Sequence, residues 1–164
     1  MTTCENGKVH ISIDFKLDCS TDAAWDALHS PKVAAQLYSP LIRMVAVDDF
    51  PNRFESGDTV SVSMRLFGLI PVGSQTIKIE DKISSLATGS ARTMVDAGKP
   101  TSGPLALLKG WHHEITISPS SSLDSRWHDE LTITGALSPL FWPVLATMWL
   151  WRKHKLKRLS AQWE

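Results

Sequence analysis

The residues of this chain best suited to acid–base chemistry are a histidine and an aspartate on two neighbouring predicted strands, 110–118 and 125–135. Each segment alternates polar and apolar residues, which is the pattern of a half-buried β-strand. Pairing the apolar faces of the two strands as a hairpin puts His113 opposite or diagonal to Asp129, with both side chains facing inward. A carboxylate that orients an imidazole is a usual arrangement for a general acid or base. The same pair can instead orient the polar end of a bound molecule.

A third charged group is predicted to face the same interior from a long C-terminal helix. The segment 138–159, SPLFWPVLATMWLWRKHKLKRL, has apolar residues at spacings of three and four that continue beyond its end. They form one stripe of about six helical turns, in which Arg152 is the only charge. Ser138 is predicted to cap the helix, with Pro139 at its first position. The stripe consists of Trp142, Leu145, Trp149, Arg152, Leu156, Leu159 and Trp163.

The same segment has two other interpretations, a membrane anchor and a nucleic-acid-binding arm. Residues 131–151 carry no formal charge, and about 20 apolar residues suffice for a membrane span. Glycine, serine and two prolines interrupt this stretch, and the apolar stripe runs on through the basic block, so we expect no stable membrane insertion. The basic residues fall mostly off the stripe, and the 17 Lys and Arg residues balance 17 Asp and Glu. We therefore expect no nucleic-acid partner.

Tryptophans and a methionine are predicted to line the interior that these polar groups face. Trp111 and Trp127 share a strand face with the histidine and the aspartate, and Trp149 lies on the helix stripe. Met64 lies on the inward face of another predicted strand, and Trp142 is expected to be apolar wall. Three polar groups that converge in an apolar, tryptophan-lined space are typical of a small-molecule site. The alternative is that the trio only satisfies itself, because buried charges require partners.

The rest of the chain is predicted to add strands and two short helices to a single domain. An alternating strand at 9–18 precedes a helix that Ser20 is predicted to cap. The second helix is predicted to begin at Pro31 and to end before Pro40. Further strands are predicted at 41–50, 58–68, 74–84 and 91–97.

A metal site is a further hypothesis for the outward faces of the last two strands, which carry His112, Glu114, His128 and Glu130. Two histidines and two glutamates are ligands that zinc accepts. Cross-strand ion pairs on a solvated face are far more common, so we expect no metal. The two cysteines lack CxxC spacing, and no glycine-rich nucleotide-binding motif is present, so we expect no cofactor.

Several short motifs and the order of the elements resemble the START and polyketide cyclase/dehydrase superfamily, which includes the birch pollen allergen. The segment CSTDAAWDAL is similar to the opening helix of that family, and GWHHEITI, RWHDELTITGALSPL and WRKHKLKRL are similar to the closing run of one branch. On that match Trp111 and His113 correspond to a Trp-x-His strand, Asp129 to an aspartate-bearing strand and Arg152 to a helix arginine. The resemblance spans essentially the whole chain.

The resemblance implies an α+β helix-grip fold over residues 1–164. A curved antiparallel sheet of six to seven strands would wrap around the long C-terminal helix, with two short helices after the first strand and a cavity between sheet and helix. We expect this cavity to bind a hydrophobic small molecule of lipid, polyketide or aromatic type. The alternative is a cyclase- or dehydratase-like enzyme with His113 and Asp129 as its acid–base pair.

Two further expectations concern the lid of the cavity and the location of the protein. The Gly- and Pro-rich loop 98–110 is a candidate lid, because its apolar tip contains Leu105, Leu107 and Leu108. The start of the chain has no basic region followed by an apolar core, so we expect a cytoplasmic protein. The sequence carries no signal for an oligomeric state.

Overall fold

In the computed structural model the chain forms one sheet and three α-helices, described over residues 2–5, 7–86, 89–121 and 123–163. The helices are α1 Thr21–Leu28, α2 Pro31–Tyr38 and α3 Ser138–Ser160, and a 3₁₀ helix spans Pro104–Leu107. The strands are β1 Thr2–Glu5, β2 Lys8–Leu17, β3 Ile42–Ala46, β4 Thr59–Leu66, β5 Ile70–Leu86, β6 Gly89–Asp96, β7 Lys99–Pro100, β8 Gly110–Pro119 and β9 Ser125–Thr134. This architecture confirms the predicted α+β helix-grip class.

The described strands pair antiparallel in the order β1-β2-β9-β8-β6-β5-β4-β3, and β7 pairs with β5. The 17-residue strand β5 joins the two halves of the sheet, because residues 70–78 pair with β4 and residues 79–86 pair with β6. A strand that changes partners along its length lets the sheet curve. All seven predicted strands are present. The strands β1 and β7 were not predicted, because pairings of four and two residues leave too little alternation to detect.

Two serines begin the short helices. The hydroxyl of Ser20 accepts a hydrogen bond from the Ala23 amide at 3.1 Å, as predicted for an N-cap. The hydroxyl of Ser30 caps α2 in the same way, and Pro31 occupies the first position of that helix, as predicted. Both helices are short enough to leave the concave side of the sheet open to α3.

The start of α3 differs from the prediction. The cap residue is Leu137, which makes no capping hydrogen bond with its side chain, so the predicted Ser138 cap is wrong. Ser138 is the first helical residue, and its hydroxyl donates to the carbonyl oxygen of Gly7 at 2.8 Å. Pro139 is therefore the second helical residue rather than the first, and Pro143 lies inside the helix. A contact with the start of β2 therefore takes precedence over local capping at this position.

The inward face of α3 follows the predicted stripe except at its beginning. Leu145, Trp149 and Arg152 are buried, whereas Trp142 is 41% exposed, so its predicted place in the apolar wall is wrong. In the first turns of α3, the residue that lines the cavity is Phe141. Adjacent residues of a helix point about 100° apart, so Trp142 does not share this direction. No helix in the described part of the chain is long and apolar enough to cross a membrane.

Two glycines fix the segment before the 3₁₀ helix against the sheet. A Cβ atom at Gly73 would overlap the carbonyl oxygen of Ser102, and one at Gly103 would overlap the carbonyl oxygen of Val72. Both glycines also have positive φ angles, +125° and +70°. The amide of Ser74 donates to the Ser102 hydroxyl at 2.9 Å, which completes the junction. The 3₁₀ helix is therefore held beside the start of β5.

Replacing the glycine at this junction should destabilise the protein. Gly73→Ala is expected to lower the free energy of unfolding by about 3 kcal/mol, because it adds a steric overlap to an unfavourable φ angle. The matched control is Gly57→Ala, since Gly57 also has a positive φ, +101°, but has nothing within 4 Å of its ideal Cβ. That variant should cost only about 1 kcal/mol. Urea unfolding monitored by circular dichroism compares the two, and equal losses would contradict the proposed tight junction.

Candidate small-molecule site

A cavity of about 320 Å³ lies between α3, the two short helices and the concave face of the sheet. Most of its lining is aliphatic or aromatic, with contributions from α1, α2, β3, β4, β5, β6, β8, the 3₁₀ helix and α3. Val144 lines this cavity and is 66% exposed, so the cavity reaches the protein surface beside α3. Small-molecule sites in proteins have volumes of about 300–1,000 Å³ and a mostly apolar lining.

A buried network centred on Asp129 lies at one end of the cavity. One carboxylate oxygen, Oδ1, accepts hydrogen bonds from Nε2 of His113 and from the indole N–H of Trp149, both at 2.8 Å. The other oxygen, Oδ2, forms an ion pair with Nη2 of Arg152 at 3.1 Å. Asp129 is fully buried and Arg152 is 2% exposed. The predicted convergence of a histidine, an aspartate and an arginine is therefore present.

The register of the sheet and the period of α3 bring these groups together. In the β8–β9 pairing His113 lies opposite Leu131, and Ile115 lies opposite Asp129, so the histidine and the aspartate are diagonal neighbours on one face. Trp149 and Arg152 are three residues apart on α3, which places them on the same side of that helix. Diagonal pairing is one of the two arrangements that the alternation predicts.

The carboxyl of Asp129 is ionised at neutral pH despite its burial. Burial alone would raise its pKa, but the Arg152 guanidinium, His113 and the hydrogen bond from Trp149 outweigh that effect and lower the pKa to about 2. A buried carboxylate is stable when a cation and hydrogen-bond donors surround it. The charge of Arg152 is therefore matched by that of Asp129 inside the protein.

The charge on Asp129 determines the tautomer of His113. An ionised carboxylate only accepts hydrogen bonds, so Nε2 of His113 must carry the proton that it donates to Asp129. Nη1 of Arg152 approaches the same nitrogen to 3.3 Å, a close contact in which Nε2 cannot also accept. In the neutral ring Nδ1 therefore keeps a lone pair, and it has no hydrogen-bond partner among the described residues. His113 lines the cavity.

Two aromatic rings enclose the guanidinium of Arg152. Its central carbon lies 5.0 Å from the ring centre of Tyr38 and 4.9 Å from that of Trp149. These distances are within the range of cation–π attraction, which strengthens when the cation is desolvated. Burial raises the pKa of the Tyr38 phenol, so its hydroxyl is neutral at neutral pH. Tyr38 also lines the cavity.

A second polar cluster beside His113 escapes prediction from the sequence. Asp96 lies directly opposite His113 in the β6–β8 register, is 7% exposed and lines the cavity together with Gln75. Its Oδ1 accepts hydrogen bonds from the amides of Lys78 and Gly98, each at 2.9 Å, and Oδ2 accepts one from the Gln75 amide nitrogen at 3.4 Å. Burial raises the pKa of Asp96 above its ordinary value, and the hydrogen bonds from the Lys78 and Gly98 amides partly oppose the increase.

The seven residues predicted to bind ligand occupy three positions relative to the cavity. Four of them line it directly: Met64, Trp111, His113 and Arg152. Asp129 and Trp149 are fully buried in the network behind the lining. Trp127 is also fully buried, but it belongs to the apolar core packed around Leu156 and is not among the lining residues.

The outward faces of β8 and β9 are the location of the hypothetical metal site. They carry contacts between histidines and acidic side chains. His128 lies 2.9 Å from Glu130, and His112 lies 3.6 Å from Glu114. Asp14 on β2 adds a contact with His128 at 3.2 Å. Across the described residues, no group of three or more His, Cys, Asp or Glu side chains is arranged to hold a metal ion.

Comparison with known proteins supports the fold. No protein-family model matches the sequence, and no curated protein matches it. Among solved structures, protein CV1439 from Chromobacterium violaceum has a TM-score of 0.65 at 14% identity, covering 92% of this chain and 96% of its own. A norcoclaurine synthase variant from Thalictrum flavum has a TM-score of 0.58 at 12% identity, covering 99% and 97%. Protein jhp0584 from Helicobacter pylori has a TM-score of 0.63 at 9% identity, covering 92% and 87%. The chain therefore shares its helix-grip fold with these solved structures.

Removing the charge at the centre of the network should destabilise the fold strongly. Asp129→Asn is expected to lower the free energy of unfolding by about 3 kcal/mol, because it leaves the Arg152 charge buried without a counter-ion. The matched control is Asp14→Asn, which breaks exposed ion pairs with Arg126 and His128. That variant should cost at most about 1 kcal/mol. Chemical denaturation at pH 7 measures both losses.

The pH dependence of the unfolding free energy distinguishes the effect of the Asp129 charge from the effect of its side-chain shape. Its pKa is lower in the folded chain, about 2, than the ordinary value of about 3.9. Its stabilising contribution is therefore fully present above about pH 4 and is lost as pH falls toward 2. The difference in unfolding free energy between the unmodified protein and Asp129→Asn should shrink over that interval. A difference that stays constant with pH would show that the carboxylate charge does not stabilise the fold.

Proposed function

We propose that this protein binds a hydrophobic small molecule in the cavity between the sheet and α3. The observation that carries the proposal is an apolar cavity of about 320 Å³ with polar side chains gathered at one end. Such a cavity favours a ligand with an apolar body and one polar end. A fold built only for mechanical stability would gain by filling this volume, since empty space in a core costs stability.

A solved structure of the same fold supports the proposal. Norcoclaurine synthase from Thalictrum flavum, with a TM-score of 0.53 at 12% identity, has been solved in complex with dopamine and hydroxybenzaldehyde. That protein thus holds ring-containing small molecules on a related backbone. For this chain the proposal still rests on its own lining residues, because fold alone does not determine function.

Within this proposal, lining and loop residues have different roles. Met64 and Trp111 supply apolar contact along the cavity, and His113 and Arg152 lie at its polar end. The loop 98–110 acts as a lid in which Leu105 lines the cavity. The other two leucines of its tip differ, since Leu107 is 58% exposed whereas Leu108 is buried against α3 residues such as Leu145 and Trp149.

Filling the cavity should weaken binding. Ile77→Trp enlarges a lining side chain on β5 and is expected to weaken binding of N-phenyl-1-naphthylamine, a neutral flat fluorophore, by at least about tenfold. The matched control is Ile83→Trp, the same substitution on the same strand at a residue that is 75% exposed. That variant should bind like the unmodified protein. Titration of the fluorophore's own emission measures the affinities, and circular dichroism checks that both variants fold.

Native mass spectrometry gives an independent test of the cavity. Protein as purified should show a mass excess that disappears on denaturation when a ligand has been retained, and the released compound can then be identified.

Saturable fluorophore binding that is unaffected by Ile77→Trp would place the ligand elsewhere. Absence of binding by the folded, unmodified protein would overturn the proposal.

A second candidate function is a cyclase- or dehydratase-like activity. The observation that favours it is the orientation of His113, whose Nε2 donates to Asp129 while Nδ1 has no partner among the described residues. An imidazole held in this way can take a proton from a substrate atom at Nδ1, and the carboxylate then stabilises the imidazolium. Arg152, 3.3 Å from the ring, would act on a developing oxyanion.

An acid–base role predicts a separation between binding and turnover. His113→Ala should reduce turnover of the compound released from the purified protein by at least about a hundredfold while changing its Kd by less than about threefold. His112→Ala is the matched control, because that neighbouring histidine lies on the outward face and is exposed. Liquid chromatography with mass detection measures turnover. Equal losses of affinity and turnover, or no turnover by the unmodified protein, would rule out the acid–base role.

A further inference from the structure

The hydrogen-bonding groups available to a ligand at the polar end of the cavity are mainly acceptors. Nδ1 of His113 has a lone pair and no partner among the described residues. The Gln75 amide donates its nitrogen to Asp96, which leaves its oxygen, Oε1, without a partner in the described part of the chain. Both residues line the cavity, and neither atom is among the buried polar atoms shielded from solvent. A ligand must therefore donate hydrogen bonds to satisfy them.

The donors near this end are largely committed or covered. Nη2 of Arg152 pairs with Asp129, and Nη1 faces the His113 ring. Nε of Arg152 and the indole nitrogen of Trp111 have no partner, but both are shielded by surrounding atoms. The Trp111 indole is close enough to Asp96 to lower the pKa of that carboxyl without making a well-formed hydrogen bond. The neutral Tyr38 hydroxyl, which can donate or accept, and Nη1 of Arg152, which has no acceptor in this tautomer of His113, remain to meet an acceptor on a ligand.

Electrostatics disfavour an anionic ligand at this end. The charge of Arg152 is matched by Asp129, so the lining offers no unpaired cation among the described residues. Asp96 adds a second carboxyl directly opposite His113. If Asp96 is ionised it repels an anion, and if it is protonated the anion still loses hydration without gaining a counter-ion. A ligand carboxylate can only accept hydrogen bonds, so it cannot donate to Nδ1 of His113 or to Oε1 of Gln75.

A cationic ligand has less to gain here than the carboxyl of Asp96 suggests. The oxygens of Asp96 already accept hydrogen bonds from Lys78, Gly98 and Gln75. An ammonium group would have to leave water for a mostly apolar cavity and share a carboxylate that is already satisfied. A neutral hydroxyl has a smaller desolvation cost and supplies the donor that Nδ1 of His113 lacks.

We infer that the cavity takes a neutral ligand bearing a hydroxyl group, a phenol or an alcohol on an apolar body, and discriminates against the corresponding carboxylate. The hydroxyl donates to Nδ1 of His113 or to Oε1 of Gln75, and its oxygen accepts from Tyr38. This inference rests on the proposed binding function and adds the chemical class of the polar end. No covalent step is involved.

The test compares four probes with one ring system: 2-naphthol, 2-naphthoate, naphthalen-2-ylmethanamine and 2-methylnaphthalene. Isothermal titration calorimetry at pH 7 measures each Kd. Naphthol should bind about fivefold more tightly than methylnaphthalene, the effect of one good hydrogen bond, and at least about tenfold more tightly than naphthoate. Naphthoate or the amine binding as tightly as naphthol would overturn the inference while leaving the binding function intact. If no probe binds the folded protein, the proposed function fails as well.

Two variants assign the preference to the predicted acceptors. Of His113→Phe and Gln75→Leu, the variant that removes the acceptor used by the hydroxyl should reduce the naphthol preference over methylnaphthalene from about fivefold to less than about twofold. Gln75→Leu provides the test if the loss of the Asp129 contact prevents His113→Phe from folding. The matched control is His112→Phe on the outward strand face, which should keep the full preference. An unchanged preference in every folded cavity variant would overturn the assignment.

Discussion

The structure depends on the burial of one charge, the carboxylate of Asp129. A carboxylate removed from water is stable only with hydrogen-bond donors and a cation around it, and these come from two other elements. His113 on β8, the diagonal neighbour of Asp129, donates to the carboxylate from the sheet. Trp149 and Arg152 on α3 fix the rotation of the helix about its axis. A single carboxylate thus positions both the sheet wall and the helix wall of the cavity at its polar end.

The same constraint determines what remains for a ligand. Because Arg152 neutralises Asp129, its charge is not available to attract an anion into the cavity. Because His113 donates Nε2–H to Asp129, the other nitrogen of the neutral ring is an acceptor. Gln75 is oriented in a similar way by Asp96, which accepts a hydrogen bond from its amide nitrogen and leaves its oxygen without a partner among the described residues. Asp129, behind the lining, and Asp96, within it, therefore orient the acceptors of the site.

The parts of the site that follow from periodicity are predictable from the sequence. Alternation places His113 and Asp129 on one face of the sheet, and spacings of three and four place Arg152 inward on the helix. The prediction that Trp142 lines the cavity is wrong because neighbouring helical residues differ by about 100° in direction. An error of one position therefore exchanges a residue that faces the interior for one that faces solvent. Asp96 is missed although it lies in the predicted strand 91–97, because that strand alternates too weakly to indicate which of its residues are buried. Its burial follows from long-range strand pairing, which leaves no local pattern.

The proposed binding and acid–base roles both require His113 to accept a hydrogen bond at Nδ1, and they differ only in whether the proton is then transferred. Structures that share the fold at 14% and 12% identity preserve the backbone, so the chemistry at the polar end has to come from the side chains of this chain. An imidazole with a free Nδ1 holds a weakly acidic hydroxyl by accepting its hydrogen bond. In the proposed acid–base role, the same imidazole would remove the proton of a sufficiently acidic bound group, because Asp129 is placed to stabilise the imidazolium that results. Whether the site only binds or also catalyses therefore depends on the acidity of the group that the ligand places at Nδ1, as much as on the protein.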